Sequence, residues 1–292
     1  MHSLGDWILQ LAIGTSFGLL LFLLASGFTL TFGLARFVNL AHGAVFLVAA
    51  YVATAVGGAG WRFVLAILAA AGTGVVLSMI IFGLARIRWR TMGSNSLSQV
   101  FLTFGVLLLF ADAARSYWSG LPRSLSAPDL LDGSLPLGDA ALPVYRLFTI
   151  GAALLLALGL WWLQDRTRFG ALVRAGVDDR QMLEATGVRP GPLFAGVFAV
   201  TGLLAGLAAG LGAPILGAAM GQEFEVLVLA LVVVVLGGPG SLQGAFLASL
   251  LVGLVDAFGK ALLPTFAGFT MMALVVIVLA VRPTGIFGWA ER

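Results

Sequence analysis

The chain has 292 residues, 60% hydrophobic and only 10% charged, with 39 glycines, no cysteine and a formal net charge of +3. So much apolar surface cannot be hidden in one water-soluble core, which excludes a soluble globule, and the lack of cysteine excludes disulfides, haem attachment and thiolate-held metal. The arginines stand beside apolar runs, where a positive-inside bias puts them, so the positive charge reads as membrane topology with no nucleic-acid partner implied.

The runs are continuously apolar for about twenty residues instead of alternating in polarity, which predicts an all-α polytopic integral membrane protein and not a β-barrel. They fall at roughly 7–34, 39–57, 62–85, 97–118, 144–163, 192–213, 224–240, 241–260 and 266–281. A single membrane domain over 1–292, with about eight or nine transmembrane or re-entrant helices, is expected. The first run is too long for a signal-peptide core and is read as a retained span.

In the second run, Asn39 and His42 lie just inside apolar sequence, and Gly43 lets backbone approach closely or unwind. Polar groups at that depth suggest a solute path. A lone histidine is more often a hydrogen-bonded packing residue than a ligand, and with only His2 besides it a metal site is not expected. Arg86, Arg88 and Arg90 follow the third run. Residues 119–143 carry four prolines and are expected as the largest outer-face loop, a compact cap with little regular structure. A receptor delivering cargo from outside has room to rest there; an inert connector is the other reading.

Residues 164–191 form a charged, cytoplasmic-looking segment between apolar runs, with Arg166, Arg168, Arg174, Arg180 and Arg189 against Asp165, Asp178, Asp179 and Glu184. Asp178 is read as the N-cap of a short helix with Gln181 completing a capping box, Arg180 and Glu184 as an i,i+4 pair, and Gly187 as a left-handed stop. Met182 and Leu183 are expected to project as apolar knobs. Such a helix suits docking into a groove on a soluble partner, while a solvated connector is the plainer alternative.

Further along, Gly202, Gly206 and Gly210 make a small-residue ladder on one helix face, whose commoner use is packing within the chain. Glu223 and Glu225 are placed in a cytosolic-side or shallow re-entrant turn. The stretch GGPGSLQGA at 237–245 breaks an apolar run, and irregular backbone at membrane depth is tolerated only where protein or a water-filled cavity satisfies it. Gly237, Gly238, Gly240 and Ser241 are therefore read with Asn39, His42 and Gly43 as lining a path, the two breaks forming a candidate pair. Asp256 and Lys260 are one turn apart and are expected to neutralise each other near the outer surface. Arg282 and Arg292 follow the last run, and placing all three arginine clusters in the cytoplasm puts the N-terminus on the opposite side.

The chemistry of self-powered transport is missing. The nearest approach to a phosphate-cradling loop, GLVDAFGK at 253–260, has the wrong glycine spacing and is followed by Ala261 where a magnesium-binding hydroxyl is needed. There is no catalytic constellation and no row of buried acids for a proton relay. The chain is not read as an enzyme; its energy is expected from another subunit. A self-sufficient channel or secondary carrier is the alternative.

These residues give the chain its resemblance to the permease subunits of branched-chain amino acid ABC transporters, of the LivH/LivM type. The marks are NLAHGA at 39–44, RxGALVRAGVDDRQMLEATGV at 168–188, GGPGSLQGA at 237–245 and RPTGIFG at 282–288. The resemblance implies a central loop that couples to an ATPase, here through Arg174, Asp178, Asp179, Arg180, Met182, Glu184 and Gly187. It implies a second permease, two ATP-binding subunits that hold the ATP and Mg, and a periplasmic solute-binding protein, in a bacterial inner membrane. Branched-chain amino acids, urea, amides and aromatic acids are the solutes it suggests.

Overall fold

The computed structural model describes residues 4–35, 38–58, 60–92, 96–138 and 140–282; Arg292 and most of the 282–288 motif lie outside the described residues. Each apolar run folds into a helix: α1 (Leu4–Ala35), α2 (His42–Val56), α3 (Trp61–Met92), α4 (Ser96–Trp118), α5 (Val144–Arg166), α8 (Pro190–Leu216), α9 (Gln222–Gly237), α10 (Leu242–Leu262) and α11 (Ala267–Val281). Between α5 and α8 lie two short helices, α6 (Arg168–Asp178) and α7 (Arg180–Ala185). The protein is all-α apart from one small hairpin and is a multi-pass membrane protein. The expected eight or nine spans are not reached on length alone. Six helices, α1, α3, α4, α5, α8 and α10, are long and apolar enough to cross a membrane. The 15, 16 and 15 residues of α2, α9 and α11 rise only about 22–24 Å, short of a hydrocarbon core of about 30 Å.

Helix α1 is the central post. Every residue from Gly18 to Thr31 is buried, so this stretch is apolar all round because it meets protein all round. It runs antiparallel to α10: Gly14 lies against Gly253, Gly18 against Ser249, and Phe22 meets Phe246 edge-on at 5.2 Å. A second antiparallel pair joins α3 to α8. There Gly202 abuts the Gly74 carbonyl and Ser78, Gly206 abuts Ala70 and Ala71, and Gly210 faces Ile67 at 3.0 Å from where a Cβ would stand. Between helices in hydrocarbon, van der Waals packing replaces the hydrophobic drive, and small residues let backbones approach for it. The glycine ladder is thus filled from within the chain. Helix α5 sits at the periphery, burying Tyr145, Thr149, Ala153, Ala157 and Leu160 at near-i,i+4 spacing while most of its other residues stay exposed or half-exposed.

The chain ends of these helices sort onto two faces. At one, the loop 119–143 contains more order than its prolines and serines suggest. Strands β1 (Ser134–Leu137) and β2 (Ala140–Pro143) pair antiparallel with Leu135 opposite Leu142, and Gly5 at the start of α1 packs on Leu137 and Ala140. Arg123 and Ala218 exchange two backbone hydrogen bonds of 2.8 and 2.7 Å, tying this loop to the end of α8. Lys260 and Asp256 pair at 2.7 Å on the same face. The sequence reading put Glu223 and Glu225 on the cytosolic side or in a shallow re-entrant turn, whereas they form the first turn of α9, next to the elbow Gly217–Gly221 on the hairpin side. The reason is direction: α8 starts beside α7 and must end at the other face. The opposite face carries Arg86, α6, α7 and Arg282, so the N-terminal end of α1 and the arginine clusters lie on opposite faces.

We expect Gly206→Val to lower stability by about 1–3 kcal/mol through forced separation of α3 and α8, read as a fall in the thermal unfolding midpoint in detergent. Gly83→Ala, where nothing lies within 4 Å of the added methyl group, should leave the midpoint unchanged.

Candidate functional site

The segment 164–191 is built by two capped turns. Helix α5 ends as Thr167 turns extended (φ −112°, ψ 156°), and its hydroxyl accepts from Gly170 N at 3.2 Å while donating to the Leu163 carbonyl. Helix α6 then folds back on the end of α5. Gly170 rests on the Gln164 backbone with no room for a side chain, Val173 is buried, and Arg174 donates to the Gln164 carbonyl and pairs with Asp165 at 3.3 Å. Both charged side chains are substantially exposed, so the ion pair is worth no more than about 1 kcal/mol; its effect is to fix where α6 lies. Arg174 is thus a brace inside the segment.

The cap of α7 is Asp179, one residue later than the sequence reading put it. Asp178 is still the last residue of α6, whereas Asp179 takes the extended backbone (φ −150°, ψ 102°) that lets its Oδ1 accept from Met182 N at 3.0 Å. The side chains of Asp178, Arg180 and Gln181 lie outside the described residues. Of the two expected knobs only Met182 projects, 64% exposed; Leu183 is buried at 7%, because successive helical residues point about 100° apart. Gly187 closes the helix in the left-handed region (φ 85°), its N–H donating to the Glu184 carbonyl at 3.0 Å. Glu184 is exposed. Pro190 then opens α8 at the position where a missing N–H costs nothing.

The two breaks do not meet. Asn39 and His42 are fully buried at the start of α2; His42 Nε2 is 2.9 Å from the Leu24 carbonyl, and the side-chain amide atoms of Asn39 and His42 Nδ1 find no partner among the described residues. Gly43 lies against the backbone of Glu223 and the Leu227 side chain, so the first break touches the beginning of α9. Gly237, Gly238, Gly240 and Ser241 stand at its far end, about 21 Å away along the helix. There Gly237 packs on Gly244, Gly238 and Gly240 take φ 94° and 81°, and the Ser241 hydroxyl accepts from Gly244 N at 3.0 Å to cap α10. A Cβ on Gly33 would stand 3.0 Å from Gly240, and one on Gly240 would stand 3.7 Å from Val177 of α6. This second break is therefore one of the places where the 164–191 segment touches the membrane helices.

Residues missed from sequence appear beside the first break. A crevice of about 530 Å³ on the hairpin side is lined by Asp112 and Arg115 of α4 with Glu223 and Phe224 of α9. Ionisable residues within a span are functional candidates by default, and that signal was present in α4. Glu223 also holds the elbow: its carboxylate accepts from Gly221 N at 2.8 Å, and Gln222 bonds Leu216 and Ala219 on either side. Among the described residues no cluster of His, Cys, Asp and Glu has the makings of a metal site.

A family model described as branched-chain amino acid transport system / permease component matches residues 10–281. The chain is 26% identical to the high-affinity branched-chain amino acid transport system permease protein BraD of Pseudomonas aeruginosa, over 100% of this chain and 99% of the relative. It is 27% identical to the permease protein LivH of Escherichia coli K12, over 97% and 96%, and 26% identical to LivH of Salmonella typhimurium over the same shares. No solved structure matches it.

Removing the cap by Asp179→Ala is expected to destabilise α7 by about 1 kcal/mol, and Asp179→Ser to retain most of it. Hydrogen exchange of the amides at 181–184 reads this directly: several-fold faster in the alanine variant, near normal in the serine variant.

Proposed function

Since the chain belongs to the family of branched-chain amino acid transport system permease components, we propose that it is the permease subunit of an ATP-binding-cassette importer, forming half of the path for a branched-chain amino acid or a related small polar solute. The observation that carries this reading is the 164–191 segment: a capped helix that holds Met182 out to solvent, braced on α6, in a chain whose sequence contains no nucleotide-binding loop. ATP and Mg then belong to two partner ATPases, one of which takes Met182 and its neighbours into a groove. A second permease, related or identical, completes the path, and a periplasmic binding protein hands over the solute at the hairpin face.

On this reading the arginine face looks into the cytoplasm of a bacterium and the chain lies in the inner membrane. The helices α1 to α5 and α8 to α11 make nine crossings, α2 and α9 doing so by adding the irregular segments 38–41 and 217–221 to their length. Asp112, Arg115 and Glu223 are kept from lipid by the second permease and the water of the path. Asn39, His42 and Gly43 sit beside that crevice, which is support for their lining the path. Gly237, Gly238, Gly240 and Ser241 act instead as the joint through which α6 moves α1, α9 and α10 when the ATPases close. The coupling residues are Asp179, Met182 and Gly187, which shape and present α7, with Arg174 as the brace of the segment and Asp178, Arg180 and Glu184 as their neighbours in sequence.

Met182→Glu puts a charge on the projecting side chain without touching the core. Co-purification of the ATPase should weaken about tenfold or more, equivalent to about 1.4 kcal/mol, and ATP-driven uptake into proteoliposomes should fall with it. Unaltered association and uptake would remove the segment from the mechanism, and uptake by the purified chain alone, without ATP, would favour a self-sufficient carrier.

A further inference from the structure

Helix α4 is held from one side only. It packs on α2 and touches α3, and away from them it carries a continuous exposed stripe of Leu97, Phe101, Gly105, Leu108, Asp112 and Arg115. The steps of four, four, three, four and three residues keep these on one face, and from Phe101 onward they alternate as in helices that lie along each other at a shallow angle. Nothing stands within 4 Å of where a Cβ on Gly105 would be, so another backbone has room to come close there. The upper part of the stripe is one wall of the crevice of about 530 Å³ whose other wall is Glu223 and Phe224. Two charges set this face apart from one that meets lipid. Asp112 lies about 9 Å inside the end of α4 at Trp118 and Arg115 one turn nearer to it. Neither side chain makes an ion pair or a hydrogen bond among the described residues. A bare carboxylate and guanidinium facing acyl chains are costly, and ionisable residues in a span face protein or water instead.

We propose that this stripe of α4 is the seam on which a second copy of the same chain docks, Asp112 of each copy pairing with Arg115 of the other. The proposal rests on the importer reading above and names its second permease. Two identical chains inserted the same way up are related by a two-fold axis along the membrane normal, so one surface meets itself. Helix α4 and its counterpart then run parallel. The acid and the base are three residues apart, a rise of about 4.5 Å, which an arginine side chain spans. Because each copy brings one charge of each sign, the two-fold makes two ion pairs and leaves neither charge over. Phe101 and Leu108 fill the seam beneath them, and Gly105 lets the two backbones close.

The chain has no cysteine, so a single introduced thiol reports the seam directly. In membranes holding the full chain with its ATPases, oxidation of Leu108→Cys should link two identical chains about tenfold more than oxidation of Leu155→Cys, on the exposed side of α5. Asp112→Arg and Arg115→Asp, each added alone to Leu108→Cys, should cut that yield about tenfold, and the double exchange in one chain should restore it. Differently tagged copies of the two single variants, expressed together, should link to each other and not to themselves, which a pair formed inside one chain does not give. Linking at Leu108 no greater than at Leu155, linking only to a different permease, or single variants that link like the parent would overturn the proposal. ATPase co-purification and ATP-driven uptake are followed in parallel: if both persist while the copies fail to link, only this seam fails, and if no ATPase associates even with the parent the importer reading fails too.

Discussion

Backbone-to-backbone contact at glycine is the constraint on which this structure depends. Inside hydrocarbon an apolar side chain gains little by leaving lipid for protein, so helices adhere where they can come close enough for dense van der Waals contact. The chain does this twice, at Gly14, Gly18 and Gly253 between α1 and α10, and at Gly74, Gly202 and Gly206 between α3 and α8. These two antiparallel pairs meet where α1 packs on α8 and leave the rest of the molecule to hang from them. The same closeness covers the irregular segments: the turn at 238–241 survives at a helix end because Gly33, Val177 and Gly244 lie on it, and the start of α2 because Leu24 and Glu223 do.

Much of this was legible in the sequence because each stretch obeys a local rule. Composition and run length located the helices, with ends off by a few residues, and Gly187 could be read as a left-handed stop because almost only glycine goes there without strain. The errors arose where two neighbours had equal claims or where the partner was far away in sequence. Asp178 and Asp179 are chemically the same, and only the backbone angle of the second decides which one caps. Met182 and Leu183 are both apolar, and only the position of α7 against the bundle decides which is buried. The hairpin at 134–143 was hidden by prolines, which suit edge strands as well as loops.

The pairing of the breaks was the largest difference, and its cause is again long range. Sequence shows that 39–43 and 237–245 both interrupt apolar runs; it does not show that α9 stands between them with one break at each end. Once the helix is placed, the two breaks have different neighbours. The first lies beside the crevice on the hairpin side, where Asp112, Arg115 and Glu223 stand among leucines and Phe224. The second belongs with α6, through Val177.

That arrangement gives the double hydrogen bond between Arg123 and Ala218 a mechanical meaning. The hairpin loop is clamped to the elbow before α9, the elbow is knotted by Gln222 and Glu223, and α9 runs without a proline to the glycine joint. A push on the loop therefore reaches the opposite surface along a single stiff pushrod about 24 Å long, so that the two faces of the molecule can be felt by each other with no need for the whole bundle to deform.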